Sequence, residues 1–353
     1  MKKQVLYIIE DEKSAQFRYR IKNVAEALES SSKYEVVWFL KSEIARAYDA
    51  LPETSLVVIE RQTAKDNIVP DFIKATEARG IKVLFDVDDL VFDFRDLPLL
   101  MHSTNSKNIF YWAGYFWGIR RVAKRADGFI TTNDFLGEKL KRTFKKPYKV
   151  IPNSLDKEQI EKSEDLIKRK KIEGFKLGYF SGSPTHAKDF RMIEPELIRF
   201  LDDYSDAKLN VVGYMEFSEK MNKMIKNGRV KVKKPVSYIE LLREEAEVSV
   251  NLAPLLINDF TDCKSELKYF EAAVVGTTTI ASPSFAFKNA IENGKNGFLC
   301  EPGEWYEKIK YLYEHPEENK KIADVARKDV LEKYYGAKLA KQIEGVYDKF
   351  VNW

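Results

Sequence analysis

The sequence predicts an α/β protein built from two doubly wound domains, and three observations carry that prediction. Short β-rich runs alternate with helical patterns along the whole chain. Several runs, such as Val5-Leu6-Tyr7-Ile8-Ile9 and Leu56-Val57-Val58-Ile59, are continuously apolar, as strands covered on both faces are. The chain has 353 residues, and at roughly 150 residues per domain two domains are expected.

Strands are expected at 4–9, 34–40, 55–60, 81–86, 128–132 and 149–152 in the first half. In the second half they are expected at 176–181, 208–213, 229–233, 247–252, 277–281 and, weakly, 297–299. Amphipathic stretches lie between them; Ile21, Val24, Ala25 and Leu28 repeat at helical spacing with charges opposite. Strand–helix alternation implies parallel sheets with helices on both faces, and so many strands exceed one ordinary sheet. The charged stretch Asp156–Lys171 is the natural break. The expected division is 1–154, 155–335 and a C-terminal helix at 336–353 packing back on the first domain. Binding crevices are expected at the carboxyl ends of the strands.

Lys and Arg total 59 and Asp and Glu 55, a net charge of +4 with 32% of residues charged. That excludes a disordered polyelectrolyte and gives no ground for a nucleic-acid partner. The longest uncharged stretch, Ala272–Phe287, is interrupted by Gly276 and Pro283 and falls short of the ~20 residues a membrane span needs. Lys2 and Lys3 precede only a brief apolar run before Glu10, too short for a secretory signal. Cys263 and Cys300 form no spaced pair, which suits a reducing compartment. A cytoplasmic protein is expected.

Several chemistries find no motif. The opening Val5–Glu12 resembles a response-regulator receiver, but the third strand ends in Glu60-Arg61 where a receiver needs Asp. Neither Gly-x-Gly-x-x-Gly nor a Walker lysine loop is present. His102, His186 and His315 are scattered, with no metal-ligand spacing. No Gly-x-Ser-x-Gly elbow occurs.

Four segments remain. In Cys263–Ala273, Leu267, Phe270 and Val274 define a buried helix face and Glu271 lies on or beside it. A buried carboxylate needs a hydrogen-bonding partner, which a sugar diol supplies. Ser265 is the expected N-cap, and the amides after it suit a diphosphate, with Lys264 and Lys268 adding positive charge. The same residues also fit an ordinary core helix whose Glu pairs with Lys or Arg. In Gly178–Phe190, Ser181, Gly182, Ser183 and Thr185 allow close backbone approach to an anion, and His186 and Lys188 can neutralise phosphate; a capped turn is the alternative. Asp86-Val87-Asp88-Asp89 ends a strand and suits sugar hydroxyls, a proton or a metal, or simply salt bridges to Arg18 or Arg20. Ile109–Trp117 is densely aromatic and precedes Arg120, Arg121, Lys124 and Arg125; it reads as core, or as a surface resting on a membrane or lipid-linked substrate.

In this order the segments resemble the group 1 (family four) glycosyltransferases, retaining enzymes of the GT-B fold, in the branch carrying Asp-x-Asp-Asp-Leu. Ile151-Pro152-Asn153-Ser154, Tyr179–Phe190, Lys264–Ser282, Gly294–Leu299 and Trp305 carry the resemblance, which covers nearly the whole chain and is strongest from 176 to 305. It implies two Rossmann-like domains facing across a cleft, and sugar transfer from a nucleotide-diphosphate donor with retention and no required cofactor or metal. The implied donor site comprises Ser181, Gly182, Ser183, Thr185, His186, Gly213, Asn258, Lys264, Ser265, Glu266, Leu267, Lys268 and Glu271, with Glu271 on the ribose. The loop after Gly213 and Lys234–Ser237 would face the base. His102, Asp88 and Lys188 are the implied catalytic groups, and Arg18, Arg20, Asp86 and Asp89 the acceptor-side ones. The acceptor would be a glycan, lipid-linked or glycoprotein substrate in cell-envelope polysaccharide or glycoconjugate synthesis, with peripheral contact at the inner membrane face.

Two departures stand out. Relatives carry a second Glu eight residues before the ribose-binding one, where this chain has Cys263, leaving Asn258, Asp259 or Asp262 as replacements. The glycine-rich turn after the first strand is replaced by Glu10–Ser14. Two other readings stay open: a non-catalytic nucleotide-sugar-binding subunit, and a metal-dependent GT-A transferase using Asp86 and Asp88.

Overall fold

The computed structural model describes residues 2–104, 106–182 and 187–353. Twelve strands form two six-stranded parallel sheets. The first contains β1 (Lys3–Ile9), β2 (Tyr34–Leu40), β3 (Thr54–Glu60), β4 (Lys82–Asp86), β5 (Gly128–Thr131) and β6 (Tyr148–Val150). The second contains β7 (Lys176–Phe180), β8 (Lys208–Val212), β9 (Val230–Lys233), β10 (Val250–Ala253), β11 (Thr278–Ala281) and β12 (Phe298–Leu299). Every expected strand is present, with ends shifted by three residues at most. Parallel neighbours cannot be joined by a tight turn, so helices fill the connections and cover both faces.

The chain forms two compact units. One holds residues up to Asp156 together with Asp262–Ser265 and Lys333–Trp353; the other holds Lys157–Thr261 and Glu266–Glu332. In the first, Val5, Tyr7 and Ile9 share a core with Leu56, Val58 and Leu84, with Phe17, Ile21 and Val24, and with Leu339, Ile343, Tyr347 and Phe350 of the last helix, Gly336–Val351. The intervening Leu6, Ile8, Val57 and Ile59 point to the other face and are equally buried, as the uninterrupted apolar runs require. In the second unit, Leu177, Tyr179, Leu209, Val250 and Leu252 pack with Phe190, Leu197, Trp305 and Ile309. Each such side chain contributes roughly 1.5–3 kcal/mol of transfer free energy.

Strand order places the crevices. The first sheet runs β2-β1-β3-β4-β5-β6, so successive connections reverse direction between β1 and β3. The second runs β12-β11-β10-β7-β8-β9 and reverses between β10 and β7. At such a reversal the flanking loops diverge and leave a crevice at the strands' carboxyl ends.

Candidate functional site

In the second unit, Ser181 and Gly182 follow β7 at the reversal point. Ser181 N–H donates to Val212 O at 2.8 Å, which brings the β8 turn close. A Cβ on Gly213, which has φ +132°, would stand 2.2 Å from Ser181 O, so only glycine fits there. The helix Ala187–Asp203 starts beyond this loop with Lys188 half-buried and Asp189 buried. Asp189 Oδ1 accepts from Leu256 N at 2.9 Å, tying this helix to the loop after β10. Ser183, Thr185 and His186 lie outside the described residues.

The helix Leu267–Val274 has Glu266 at its N-cap, and the Glu266 side chain makes no capping bond to it. Helix N-termini of this kind favour anions through the helix dipole and their first N–H groups. Asn251 on β10 fixes the helix, its Nδ2 donating to Lys268 O at 2.8 Å and Thr279 Oγ1 at 3.1 Å. Lys170 closes the other end, donating to Val275 O, Gly276 O and Thr277 Oγ1; burial pushes this lysine down to about 8. Glu271 is buried near the fully buried Glu245 of the helix Tyr238–Ala246. Burial first, then the charge of Glu271, hold the Glu245 carboxyl well above the usual range, against the opposing pull of Lys268 and Lys170. Sequence patterning missed Glu245, which ends a helix with no motif around it.

Two expectations are corrected. Ser265 does not cap the helix: it belongs to the first unit, where its Oγ accepts from Asn153 Nδ2 at 2.9 Å. Leu267 is half-buried, and the buried face runs through Tyr269–Val274 instead. Asn258, one expected replacement for the Glu absent at Cys263, is partly exposed and bonded in its own turn, Oδ1 accepting from Phe260 N and Thr261 N while Nδ2 donates to Leu256 O.

In the first unit, the helical stretch from Ala15 to Ala27 contains a π-helical turn, Arg18–Lys22. Within this turn Arg20 is buried, whereas Arg18 stays half-buried beside Tyr19. Arg20 Nε and Nη2 donate to Asp86 Oδ1 and Oδ2 at 3.0 and 3.1 Å, and Nη1 donates to Ile151 O and Asn153 Oδ1. Both side chains are 1% exposed. Arg20 and Asp86 thus bind each other and the 151–153 loop rather than an acceptor, which corrects the expectation for both. Losing one partner of such a pair leaves a buried charge, at a cost of about 3–5 kcal/mol.

Arg61 follows β3 with φ +38°, held by its N–H to Asp86 O. Its guanidinium donates to Asp88 Oδ1 at 2.9 Å, Asp89 Oδ2 at 3.0 Å and Tyr115 OH at 3.1 Å. Lys264 Nζ donates to Asp89 Oδ1 at 3.3 Å. Although burial raises the Asp89 carboxyl, Lys264 and Arg61 outweigh it and hold the group well below the usual range. Asp88 and Asp89 are therefore ion-paired, and Asp86 and Asp88 answer to different arginines rather than sharing a cation as a metal pair would. His102 lies outside this cluster, exposed on the helix Leu97–Ser103. Among the described residues no group of three or more His, Cys, Asp or Glu is placed to hold a metal.

A cavity of about 360 Å³ opens at the same reversal point, lined by residues following β1 and β3 and by Tyr111 and Tyr115. Those tyrosines lie on the helix Ile109–Ala123, whose second half is buried through Phe116, Ile119 and Val122. Its first turn is not: Phe110 is 88% exposed and Ile109 and Tyr111 are about half exposed, as is Trp117 midway along the helix. The aromatic run is thus half core and half surface. No helix among the described residues is long and apolar enough to cross a membrane.

Residues 191–345 match the model of a glycosyl transferase-like family. No curated protein matches the chain. Among solved structures, it resembles Anabaena HepE in complex with UDP and glucose, with a TM-score of 0.64 and 14% identity over 99% of this chain and 100% of that one. A glycosyltransferase from Rickettsia africae superposes with a TM-score of 0.69 at 12% identity over 99% of both chains. Sucrose-phosphate synthase from Thermosynechococcus elongatus gives 0.63 at 12% identity over 99% of this chain and 100% of that one. At these identities the likeness establishes the fold: the two Rossmann-like domains of the GT-B class.

Proposed function

We infer that this chain is a glycosyltransferase that takes its sugar from a nucleotide-diphosphate donor bound to the second unit. The observation that carries this is the buried Glu271 of the helix Leu267–Val274, set beside Glu245 and Lys268. That helix lies in the connection after β10, one of the two strands between which the order reverses, in the unit that the family model mostly covers. A ribose diol supplies two O–H donors to Glu271, while the amides of Leu267 and Lys268 take a diphosphate oxygen. Lys188 and Gly182 meet the charge that develops on the departing diphosphate, and fixed cations and dipoles do this without a metal. The sugar is transferred with retention, to a hydroxyl presented on the first unit. HepE was crystallised with UDP, so UDP-sugars head the donor list.

The exposed Phe110 and Trp117, flanked by exposed Lys107, Lys124 and Arg125, support peripheral contact with an anionic membrane on the cytoplasmic side. A lipid-linked acceptor in envelope glycoconjugate synthesis fits that placement.

Thermal-shift titration with UDP-, GDP-, dTDP- and ADP-sugars tests the donor site. One nucleotide class should raise Tm according to RT ln(1 + [L]/Kd), and Glu271→Ala should abolish the rise. No shift with any donor overturns the assignment. Turnover unchanged by a chelator, with an α-linked product from an α-linked donor, is the expected chemistry. Binding without turnover on any acceptor would instead identify a nucleotide-sugar-binding subunit, the reading that buried Cys263 in place of a sugar-facing Glu favours.

A further inference from the structure

We propose that the cavity of the first unit is a second ligand site, selective for a neutral, hydroxyl-rich glycan over an anionic one, with Glu60 as the residue that sets this selectivity. It deepens the transferase reading by naming the acceptor class, and rests on that reading only for the word acceptor.

The cavity lies between the loops after β1 and β3, where the first sheet reverses its strand order, and its size falls in the range of small-ligand pockets. Glu60, the last residue of β3, lines it and is 7% exposed. Its carboxyl receives no hydrogen bond and joins no ion pair with any described residue. The nearby guanidinium groups are already engaged, Arg20 by Asp86 and Arg61 by Asp88, Asp89 and Tyr115. A buried carboxyl without a partner is costly, and it persists where a ligand completes it. Burial, reinforced by Asp88 and Asp86, pushes this group up to about 8; near neutrality it can therefore both donate to and accept from a hydroxyl.

The rest of the lining points the same way. Tyr111 and Tyr115 stack with centroids 6.3 Å apart and planes within 15°, giving an apolar wall for the C–H face of a sugar ring. Turning the Gln62 amide to its bonded orientation lets it donate to Glu10 Oε2 at 2.7 Å and accept from Glu10 N at 2.9 Å, which fixes the Glu10 carboxylate at the rim. Glu10 and Asp11 face one unopposed lining cation, Lys65, because the charge of Arg61 is balanced by Asp88 and Asp89. A phosphate or carboxylate on the ligand would meet like charge in a poorly solvated site.

The test is saturation-transfer NMR and calorimetry on the full chain, with and without UDP. The probes are neutral methyl glycosides (glucoside, galactoside, N-acetylglucosaminide) and their anionic counterparts, a glucuronide and glucose 6-phosphate. At least one neutral glycoside should bind, with roughly tenfold weaker affinity in Glu60→Ala and in Tyr111→Ala, and with the anionic probes at least tenfold weaker in the wild type. Glu60→Gln, which keeps a donor and an acceptor, should retain binding. Glu60→Lys should reverse the charge preference. All four variants should keep the donor-induced Tm rise, which reports the second unit, and wild-type hydrogen-exchange protection of β1 and β3, which controls for folding of the first. Anionic probes binding as well as neutral ones, binding indifferent to Glu60 and Tyr111, or no glycoside binding with or without UDP would each overturn the proposal. A donor shift that is absent while glycosides bind as expected would sink the transferase reading and leave this site standing.

Discussion

Glu60 is a carboxyl group in the environment least suited to one: buried, beside Asp86 and Asp88, with both neighbouring arginines engaged elsewhere. Its pKa near 8 against an ordinary 4.5 means that the fold holds a proton which the unfolded chain releases. Stability therefore falls as pH rises through that window, and the loss is complete above about pH 8, at a cost of a few kcal/mol. Thermal melts from about pH 5 to about pH 9 should show the wild-type Tm dropping progressively below that of Glu60→Gln, by several degrees at the alkaline end. A constant difference would mean that the carboxyl titrates normally. Glu60 was visible in the sequence only as a charged residue where a strand should end, and its neighbour Arg61 only as a mismatch to a receiver. For Asp86 the sequence offers a salt bridge to Arg18 or Arg20 beside an acceptor role, and only the fold shows that Arg20 closes on it at 3.0 Å.

At the scale of elements, hydrophobic pattern located the strands because each is buried on both faces, and a continuous apolar run records that directly. Helix boundaries were less legible. Ser265 is a favourable cap by residue type, but the helix begins two residues later at Leu267, because Asn153 takes the Ser265 hydroxyl. The aromatic helix is divided by packing rather than by sequence: Gly118 lets it approach Thr63 and Ala64, whose N–H donates to Gly118 O at 3.1 Å, while the turn around Phe110 has no such partner. Replacing Phe110 and Trp117 together by Asp should lower co-sedimentation with anionic phospholipid vesicles several-fold and leave Tm within a degree or two. Unchanged co-sedimentation would deny this surface a membrane role.

For the molecule as a whole, each unit has its own core, and the first is completed by the last residues of the chain. Tyr347 OH bonds Tyr7 OH at 2.8 Å in the interior, and the ring of Phe350 occupies the space that a side chain on Gly128 would need. Removing residues 336–353 should therefore unfold the first unit, seen as loss of cooperative melting and of hydrogen-exchange protection in β1 and β3, with β7 and β10 still protected. Protection of β1 and β3 in the truncated chain would show the last helix to be dispensable. Local pattern by itself determined the α/β class and the twelve strands, because burial on both faces leaves marks over a few neighbouring residues. Tertiary structure alone decided which charges are cancelled and which are left over. The chain offers salt bridges to Arg18 or Arg20 as one alternative for Asp86, Asp88 and Asp89; packing selects Arg20 for Asp86, Arg61 for Asp88, and Arg61 with Lys264 for Asp89. Glu60 and Glu245 keep carboxyls that their surroundings press toward the neutral form, since desolvation and like charge depend on what packs nearby in space.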